Sequence, residues 1–271
     1  MSMPTVEWNH SEWNSRYQWD ESGDEWSAPW GSARAQWLTC VYPRLASFLP
    51  ASSVLEIAPG YGRWTQFLLP QCCSYLGVDL AENCVQACRE RFAGQAHATF
   101  AVNDGLTLPM AADESADLVF SFDSLVHAEA DAVGSYLREI RRILSPDGVA
   151  FIHHSNAGAY HRTAAALDLL EKVADPFTLP RKALVRVGVA DWHHFRGRSM
   201  TATRFAELAG HAGLACIGQE VISWSSPLLT DCISVAVIPG SKWDRAPART
   251  RNRNFRPAAR SSRAASRAFG I

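Results

Sequence analysis

The stretch VLEIAPGYGRWTQFL at residues 54–68, followed by SYLGVD at residues 74–79, decides the fold class of this chain. It predicts a buried strand, a glycine turn, the start of a helix and a second strand that ends on a carboxylate. Gly60 and Gly62 allow the backbone to turn tightly and to approach a ligand closely. Asp79 follows roughly 20 residues later, the spacing at which an acid reaches a ribose hydroxyl. The stretch therefore predicts a nucleoside-binding site.

The glycine turn by itself fits two kinds of nucleoside. A dinucleotide GxGxxG motif would need Thr65 in its last position, and it would place Glu56 where such domains usually keep a small or apolar residue. A lone GxGxxG pattern is a weak signal. The neighbouring motifs must therefore decide between the two.

Length and composition favour a single domain without a membrane anchor. The 271 residues contain no run close to the roughly 18 apolar residues of a membrane span. The N-terminal residues MSMPTVEWNHSEW lack the features of a secretory signal, so we expect a cytoplasmic protein. Seven cysteines without CxxC spacing predict reduced thiols and argue against both a disulfide framework and a zinc knuckle.

The net charge of −1 conceals an uneven distribution. Residues 242–271 hold nine basic side chains and one acidic one, so the preceding part of the chain carries about −9. This C-terminal region is rich in Ala, Arg, Ser and Pro and poor in apolar anchors. We expect residues 241–271 to be a disordered, solvated tail, and a nucleic-acid partner to be the less favoured reading of its arginines.

Strands and helices alternate after the glycine turn in the manner of a parallel sheet covered on both faces. The predicted strands lie at residues 53–58, 74–79, 98–103, 116–122 and 148–154, and the predicted helices at 64–69, 81–92 and 131–144. A helix at 201–212 precedes strands at 215–224 and 231–238. Because no helix separates these last two strands, we expect an antiparallel hairpin. The prediction is an α/β fold with a seven-stranded, mostly parallel sheet.

Two segments lie outside this alternating core, which we place at residues 38–240. Residues 1–37 hold six tryptophans without helical periodicity, so they either wrap the domain or form a lid over its ligands. Residues 157–200 form an insertion before the last predicted helix. Loops at the carboxyl ends of strands face the ligand crevice, so we expect this insertion on the acceptor side.

The chain resembles class I S-adenosylmethionine (SAM) methyltransferases of bacterial glycan and glycolipid assembly. The resemblance rests on EWSAPWGS at 25–32, LEIAPGYGRWTQF at 55–67, VNDG at 102–105, FSFDSLVHAEAD at 120–131, FIHHSN at 151–156 and DCISV at 231–235. The pattern ExAPGxG is similar to methyltransferase motif I, with Ala58 in place of the first glycine. Within the group, the chain looks most like mycobacterial sugar O-methyltransferases that act on methylmannose polysaccharide precursors. The resemblance implies a Rossmann-like fold, SAM as cofactor and a saccharide hydroxyl as acceptor.

The resemblance also assigns the cofactor site. Ala58, Gly60 and Gly62 would form the turn under the methionine portion, with Glu56 near its amino group or the turn backbone. Asp79 would bind the ribose hydroxyls. The adenine would be bound by Asn103, Asp104 and Gly105. Ser121 and Phe122 would lie beneath the sulfonium.

His127 is the predicted general base for methyl transfer. An alcohol must lose its proton as it attacks, and an imidazole titrates near neutral pH. His127 lies in an S-L-x-H element, Ser124-Leu125-Val126-His127, similar to the one that follows strand four in sugar O-methyltransferases. Asp123 precedes it and is a second candidate catalytic residue. A structural role for His127, steadying the following helix, remains the alternative.

His154 is the third candidate catalytic residue. His153 and His154 end the fifth strand, and alternation along a strand directs only one of them into the crevice. We expect that one to be His154.

The predicted acceptor-binding residues are Trp30, His193, His194 and Asp231. His, Asp and Glu are numerous enough to hold a divalent ion such as Mg²⁺, but none are at a recognisable ligand spacing. Hydrogen bonding to a polar acceptor is therefore favoured over metal binding.

Other functions stay open at the level of sequence. The chain could methylate a non-sugar natural product or nucleic acid, or it could bind SAM or NAD without transferring a methyl group. The sequence does not predict the sugar, the hydroxyl or the oligomeric state.

Overall fold

The computed structural model describes residues 4–160, 195–224 and 228–269. Its strands are β1 (Ala51–Ile57), β2 (Cys72–Asp79), β3 (Ala98–Val102), β4 (Ala116–Ser121), β5 (Leu144–Ser155), β6 (Ala215–Ile222), β7 (Asp231–Val237) and β8 (Ala248–Asn252). The α-helices in the described residues are α1 (Val6–Ser11), α2 (Ala33–Gln36), α3 (Tyr42–Leu45), α4 (Thr65–Leu68), α5 (Glu82–Arg91), α6 (Ala130–Ile143), α7 (Ala202–His211) and α8 (Phe255–Phe269).

The strands form one sheet in the order β3-β2-β1-β4-β5-β7-β6-β8. Strands β1 to β5 run parallel to one another, whereas β7 is antiparallel to both β5 and β6. The Rossmann-like fold and the terminal antiparallel hairpin are confirmed, and β8 adds an eighth strand to the seven expected. Chain connections leave β1 and β4 in opposite directions across the sheet, so a ligand crevice is expected at the carboxyl ends of these two strands.

Hydrophobic packing covers both faces of the sheet. On one face, Val54 and Phe120 pack with Trp37 and Leu45 from the helical segments before β1. On the other face, Leu55 packs with side chains of α6 and α7. The central strands read as nearly continuous apolar runs because they are buried on both sides.

The C-terminal region is ordered from Ala248 to Phe269, so the prediction of a disordered tail at residues 241–271 was wrong for this part. Strand β8 pairs in parallel with β6. Helix α8 then buries one stripe, with Phe255 1 % exposed and Ala259, Ser262 and Ser266 also buried. Composition did not indicate this helix because small side chains at helical spacing can pack closely without large apolar residues.

The N-terminal segment, residues 4–30, crosses the carboxyl ends of the strands. It comprises α1, a π-helical turn at Glu12–Arg16 and a 3₁₀ segment at Glu21–Trp30 that is broken at Ser22 and Gly23. A further 3₁₀ turn, Leu125–His127, follows β4.

Within the described ranges, no helix has both the length and the apolarity needed to cross a membrane.

Candidate active site

A cavity of about 530 Å³ lies at the carboxyl ends of β1, β2 and β4, covered by the N-terminal segment. The turn after β1, the loop after β3 and the start of α6 complete its walls. Three tryptophans of the N-terminal segment, Trp13, Trp19 and Trp26, line it. Its acidic, arginine and histidine lining residues are Glu7, Arg63, Asp79, Asp104, Asp123, His127, Glu129 and Asp131.

The turn after β1 has a left-handed backbone at three positions. Ala58 has φ +57°, Gly60 φ +59° and Gly62 φ +85°. A Cβ atom at Gly60 would lie 2.9 Å from the Trp19 ring, and one at Gly62 would lie 2.4 Å from the Phe92 ring. Ala58 and Gly60 line the cavity, whereas Gly62 packs against Phe92 behind it. The glycines therefore serve both the turn and its close packing.

Asp79, at the end of β2, faces the cavity. Its Oδ2 accepts a hydrogen bond from the Gly60 amide at 3.0 Å, and its Oδ1 accepts one from the Ala81 amide at 2.9 Å. Burial raises the pKa of Asp79 to about 6 despite these amides. The carboxylate thus joins the glycine turn to the end of β2, and its position on the cavity wall suits a contact with a ribose hydroxyl.

Asp104 and Gly105 line the far end of the cavity. Asp104 accepts hydrogen bonds from the amides of Leu106 and Thr107 at 2.8 Å and 2.6 Å. Although partial burial opposes ionisation, these bonds hold the pKa of Asp104 below its usual value. Gly105 has φ +78°, and a Cβ there would lie 2.8 Å from Val6, so the N-terminal segment also closes this end.

Glu56 does not line the cavity, contrary to its predicted contact with the cofactor. Its Oε2 accepts hydrogen bonds from the Tyr75 hydroxyl at 2.5 Å and the Thr65 hydroxyl at 2.8 Å. Burial raises the pKa of Glu56 to about 7. The side chain therefore joins β1 to β2 and α4 inside the core.

Asn103 and Ser121 also lie behind the cavity wall. The Asn103 amide donates to the Tyr136 hydroxyl at 2.9 Å, and Tyr136 itself lines the cavity. Ser121 is fully buried in β4. Phe122, one residue later, reaches the cavity and packs edge-on against Trp64.

Asp123 lies on the cavity wall in a buried charge network. The Arg63 guanidinium donates to its Oδ2 at 2.9 Å, and Nδ1 of His153 lies 3.2 Å from its Oδ1. Burial opposes ionisation, but Arg63 and His153 lower the pKa of Asp123 to about 2. Arg63 also lies over the Trp64 ring at 4.4 Å. Asp123 is thus a paired anion at neutral pH and not a free base.

His127 lines the cavity with 6 % of its surface exposed. Its Nδ1 lies 3.0 Å from the Phe195 carbonyl oxygen. A carbonyl can only accept, so Nδ1 carries the proton and the lone pair of a neutral ring is on Nε2. The Trp13 ring packs at 5.1 Å, and the Asn9 amide donates to the His127 carbonyl at 2.8 Å. Contacts from both sides therefore hold the ring.

His154 does not face the cavity, so the expected orientation of the histidine pair was wrong. Its Nδ1 donates to the Ser155 carbonyl at 2.8 Å, Nε2 lies 2.8 Å from the Ser234 hydroxyl, and its ring stacks on Phe205. Burial lowers the pKa of His154 to about 3. It is a neutral core residue, and His153 is the one on the side of Asp123.

Two of the four predicted acceptor residues, Trp30 and Asp231, lie away from the cavity. Asp231 is fully buried in an ion pair with Arg196, and Trp30 packs against Trp224 and Phe255 beneath α8. Neither lines the cavity, so both assignments are corrected. His193 and His194 lie outside the described residues.

The sequence reasoning missed several cavity residues. Arg63 lies inside the glycine motif, and its proximity to Gly62 was the available signal. Trp13, Trp19 and Trp26 belong to the tryptophan-rich segment, but a segment without periodicity offered no way to choose among its rings. Trp19 stacks on Tyr61 at 4.7 Å, directly over the glycine turn.

Among residues 4–160, 195–224 and 228–269, no group of three or more His, Cys, Asp or Glu side chains is arranged to hold a metal ion. The structure therefore offers no support for Mg²⁺ at this site.

The cavity residues fit SAM. Asp79 and the glycine turn are adjacent, Asp104 and Gly105 lie at one end, and Phe122 with His127 lies on the other side of the turn. Gly60 and Gly105 allow the covering segment to pack closely on the cavity, because a side chain at either position would collide with Trp19 or Val6.

Known proteins share this architecture. Residues 54–148 match the family model described as a methyltransferase domain. No curated protein matches the sequence.

Three solved structures illustrate the likeness in fold. PKMT2 from Rickettsia typhi, in complex with AdoHcy, has a TM-score of 0.54 at 11 % identity, covering 73 % of this chain and 51 % of that chain. The PH0226 protein from Pyrococcus horikoshii has a TM-score of 0.52 at 21 % identity, covering 76 % and 90 %. The N-methyltransferase NodS from Bradyrhizobium japonicum has a TM-score of 0.51 at 15 % identity, covering 82 % and 99 %.

Strand order, the glycine turn with Asp79 and the family match over residues 54–148 agree with one another. The chain therefore has a Rossmann-like methyltransferase fold, and residues 54–148 of it match a methyltransferase domain.

Proposed function

We propose that this protein transfers the methyl group of SAM to a hydroxyl of a saccharide or glycan precursor. The observation that carries the proposal is the position of His127. It lines the same cavity as Asp79, Gly60 and Asp104, with its Nδ1 proton bonded to the Phe195 carbonyl.

His127 would act as general base. SAM supplies the methyl group as a sulfonium, and the chain must align an acceptor oxygen and remove its proton. Nε2 of the neutral ring is the proton acceptor, and the proton passes from there to solvent. Positioning within the cavity and proton removal together account for the expected acceleration.

The cavity lining suits a sugar. Trp13 and Trp26 offer flat apolar faces for the CH groups of a sugar ring, and Arg63, Asp123 and Glu129 offer polar groups beside them. Pockets of this kind combine aromatic walls with a few placed polar groups. A methylmannose polysaccharide precursor is the narrower acceptor that we propose, on the resemblance of the sequence motifs.

The test is a methyl-transfer assay with labelled SAM against a panel of mono- and oligosaccharides, read by product mass. Methylation of one or more saccharides at a hydroxyl is expected. A panel without product, while an amine or a non-sugar alcohol is methylated, would reject the saccharide assignment. Calorimetry compares the affinities for S-adenosylhomocysteine and NAD. Preference for NAD would indicate a nicotinamide-binding protein, and binding of S-adenosylhomocysteine without methylation of any acceptor would indicate a non-catalytic SAM-binding protein.

Nucleic acid remains the rival acceptor because arginines at 249, 251, 253, 260 and 263 are exposed. Deleting residues 241–271 is not a clean test, since α8 packs on Trp30. The variant Arg260→Gln/Arg263→Gln removes charge without removing the helix. Unchanged saccharide methylation in this variant would argue against a nucleic-acid substrate, whereas methylation of RNA or DNA that the variant loses would favour one.

A further inference from the structure

Residues 195–199 run alongside residues 126–130, and we call them the strap. The Gly197 amide donates to the Val126 carbonyl at 2.9 Å, next to the contact between Phe195 and His127. The Ser199 amide donates to Glu129 at 2.8 Å. The strap thus follows the backbone of the His127 turn along its whole length.

Gly197 shows how closely the two segments approach. A Cβ atom at this position would lie 2.1 Å from the Ala128 carbonyl oxygen. No larger residue fits without moving one of the two segments. Small displacements of the strap would therefore be transmitted to the His127 turn.

A buried ion pair ties the strap to the sheet. Arg196 donates to both carboxylate oxygens of Asp231, at 3.0 Å from Nε and 2.9 Å from Nη2. Arg196 is 3 % exposed and Asp231 is fully buried, so the geometry of the fork is well protected from solvent. Asp231 starts β7 opposite Ser155 of β5, whose hydroxyl donates to the Gly197 carbonyl at 2.6 Å.

From this ion pair, a chain of buried side chains leads to Asp123 on the cavity wall. Asp231 lies 3.6 Å from Nε2 of His153, and Nδ1 of His153 accepts a hydrogen bond from the Asp123 amide at 3.1 Å. Asp123 then pairs with Arg63. Each carboxylate of this buried chain is paired with an arginine, Asp231 with Arg196 and Asp123 with Arg63, which offsets the cost of removing these charges from water.

We propose that the Arg196–Asp231 ion pair is a positioning device for His127. It holds the strap so that the Phe195 carbonyl keeps the His127 proton on Nδ1 and the lone pair on Nε2. The inference rests on the proposed function, in which His127 is the base. Arg196 and Asp231 act through the strap and do not touch the acceptor.

The test compares Arg196→Gln with a matched control, Arg44→Gln. Arg44 forms a similar fork with Glu220, at 2.6 Å and 2.8 Å, but neither residue lines the cavity. For each variant, turnover, its pH profile and S-adenosylhomocysteine affinity are measured. Nitrogen-15 NMR of the histidine rings reports which nitrogen of His127 carries the proton, with the signal assigned by its loss in His127→Gln.

For Arg196→Gln we expect turnover to fall by roughly tenfold or more, with affinity for S-adenosylhomocysteine changed by less than about twofold. The His127 signals should show a mixture of tautomers, and the acid side of the pH profile should move. Arg196→Lys keeps the positive charge but cannot donate two parallel hydrogen bonds, so its turnover should lie between those of the wild type and Arg196→Gln. This variant replaces Arg196→Gln in the test if the glutamine variant does not fold. Arg44→Gln should change none of these readouts.

A folded Arg196→Gln variant with the wild-type tautomer and wild-type turnover would overturn the inference. Equal losses in Arg44→Gln would also overturn it, because the effect would then be general loss of stability. If no saccharide is methylated by the wild type, yet Arg196→Gln still alters the His127 tautomer, the positioning role stands and the proposed acceptor fails.

Discussion

The cavity wall and the packed core behind it contain the same types of residue in different roles. His127 lines the cavity and its Nδ1 is bonded to the Phe195 carbonyl, whereas His154 lies away from the cavity, bonded to Ser155 and Ser234 in the core. Asp79 faces the cavity, whereas Glu56 at the end of the neighbouring strand is turned inward. Residue type therefore does not distinguish a ligand contact from a structural one, but the partners of its polar atoms do.

Tryptophans show the same division. Trp19 is half-buried over the glycine turn, and Trp30, from the same segment, is 2 % exposed between Trp224 and Phe255. The first contributes surface to the cavity and the second contributes packing to the fold. In each of the three pairs, His127 and His154, Asp79 and Glu56, and Trp19 and Trp30, we expect the core variant to lower the free energy of unfolding and the cavity variant to lower turnover or SAM affinity.

The largest effect is expected from Trp30→Ala. Removing this core ring should lower the free energy of unfolding by about 3–5 kcal/mol, because the space beneath α8 cannot refill. Urea unfolding measures the loss. At a temperature where the variant is folded, its SAM affinity should equal that of the wild type, and a large loss of affinity would place Trp30 in the site after all.

The two histidines should differ in kind. His127→Ala is expected to lower turnover roughly 100-fold or more, the range for a lost general base, while SAM affinity stays nearly intact. His154→Ala should lower the free energy of unfolding and leave turnover per folded molecule unchanged. Normal turnover in His127→Ala would remove it from the role of base.

Glu56 should make the protein less stable as pH rises. Burial raises the pKa of Glu56 from 4.5 to about 7 in the folded state. Between these two pH values the folded state binds more protons than the unfolded state, so the free energy of unfolding falls as pH rises. Glu56→Gln should remove this dependence, a difference on the order of 2 kcal/mol between about pH 5 and pH 8 in urea unfolding.

Asp79→Asn is the partner variant for Glu56→Gln. It should weaken SAM binding, whereas Glu56→Gln should leave it within about twofold, since only Asp79 lines the cavity. Calorimetry with S-adenosylhomocysteine measures both. Weak binding by Glu56→Gln with normal stability would show that Glu56 contacts the cofactor.

The smallest effect is expected from Trp19→Ala. The ring covers Gly60 and stacks on Tyr61, so its removal should open the cover of the glycine turn and weaken SAM binding by roughly tenfold or less. Unfolding free energy should change less than in Trp30→Ala. An unchanged dissociation constant would mean that the N-terminal segment wraps the domain without acting as a lid.

Local sequence patterns predicted the sheet, and the assignment of cofactor contacts to cavity residues such as Asp79 and Gly60 stays a prediction. The alternation of strands and helices, the glycine turn and the position of Asp79 depend on neighbours within a few residues. The missed features depend on distant contacts. Arg63 meets Asp123 across 60 positions of the chain, and the ring of Trp30 meets Phe255 across 225.

The sequence by itself determined the fold class, the turn at residues 58–62 and the presence of a histidine after β4. Only the tertiary structure decided that His153, and not His154, lies beside Asp123 and that neither ring lines the cavity, because strand alternation says only that the two rings point to opposite faces. It also decided that the arginine-rich region folds. A stripe of small side chains gains stability only from the surface against which it packs, and here Trp30, Gly31 and Thr39 contribute to that surface.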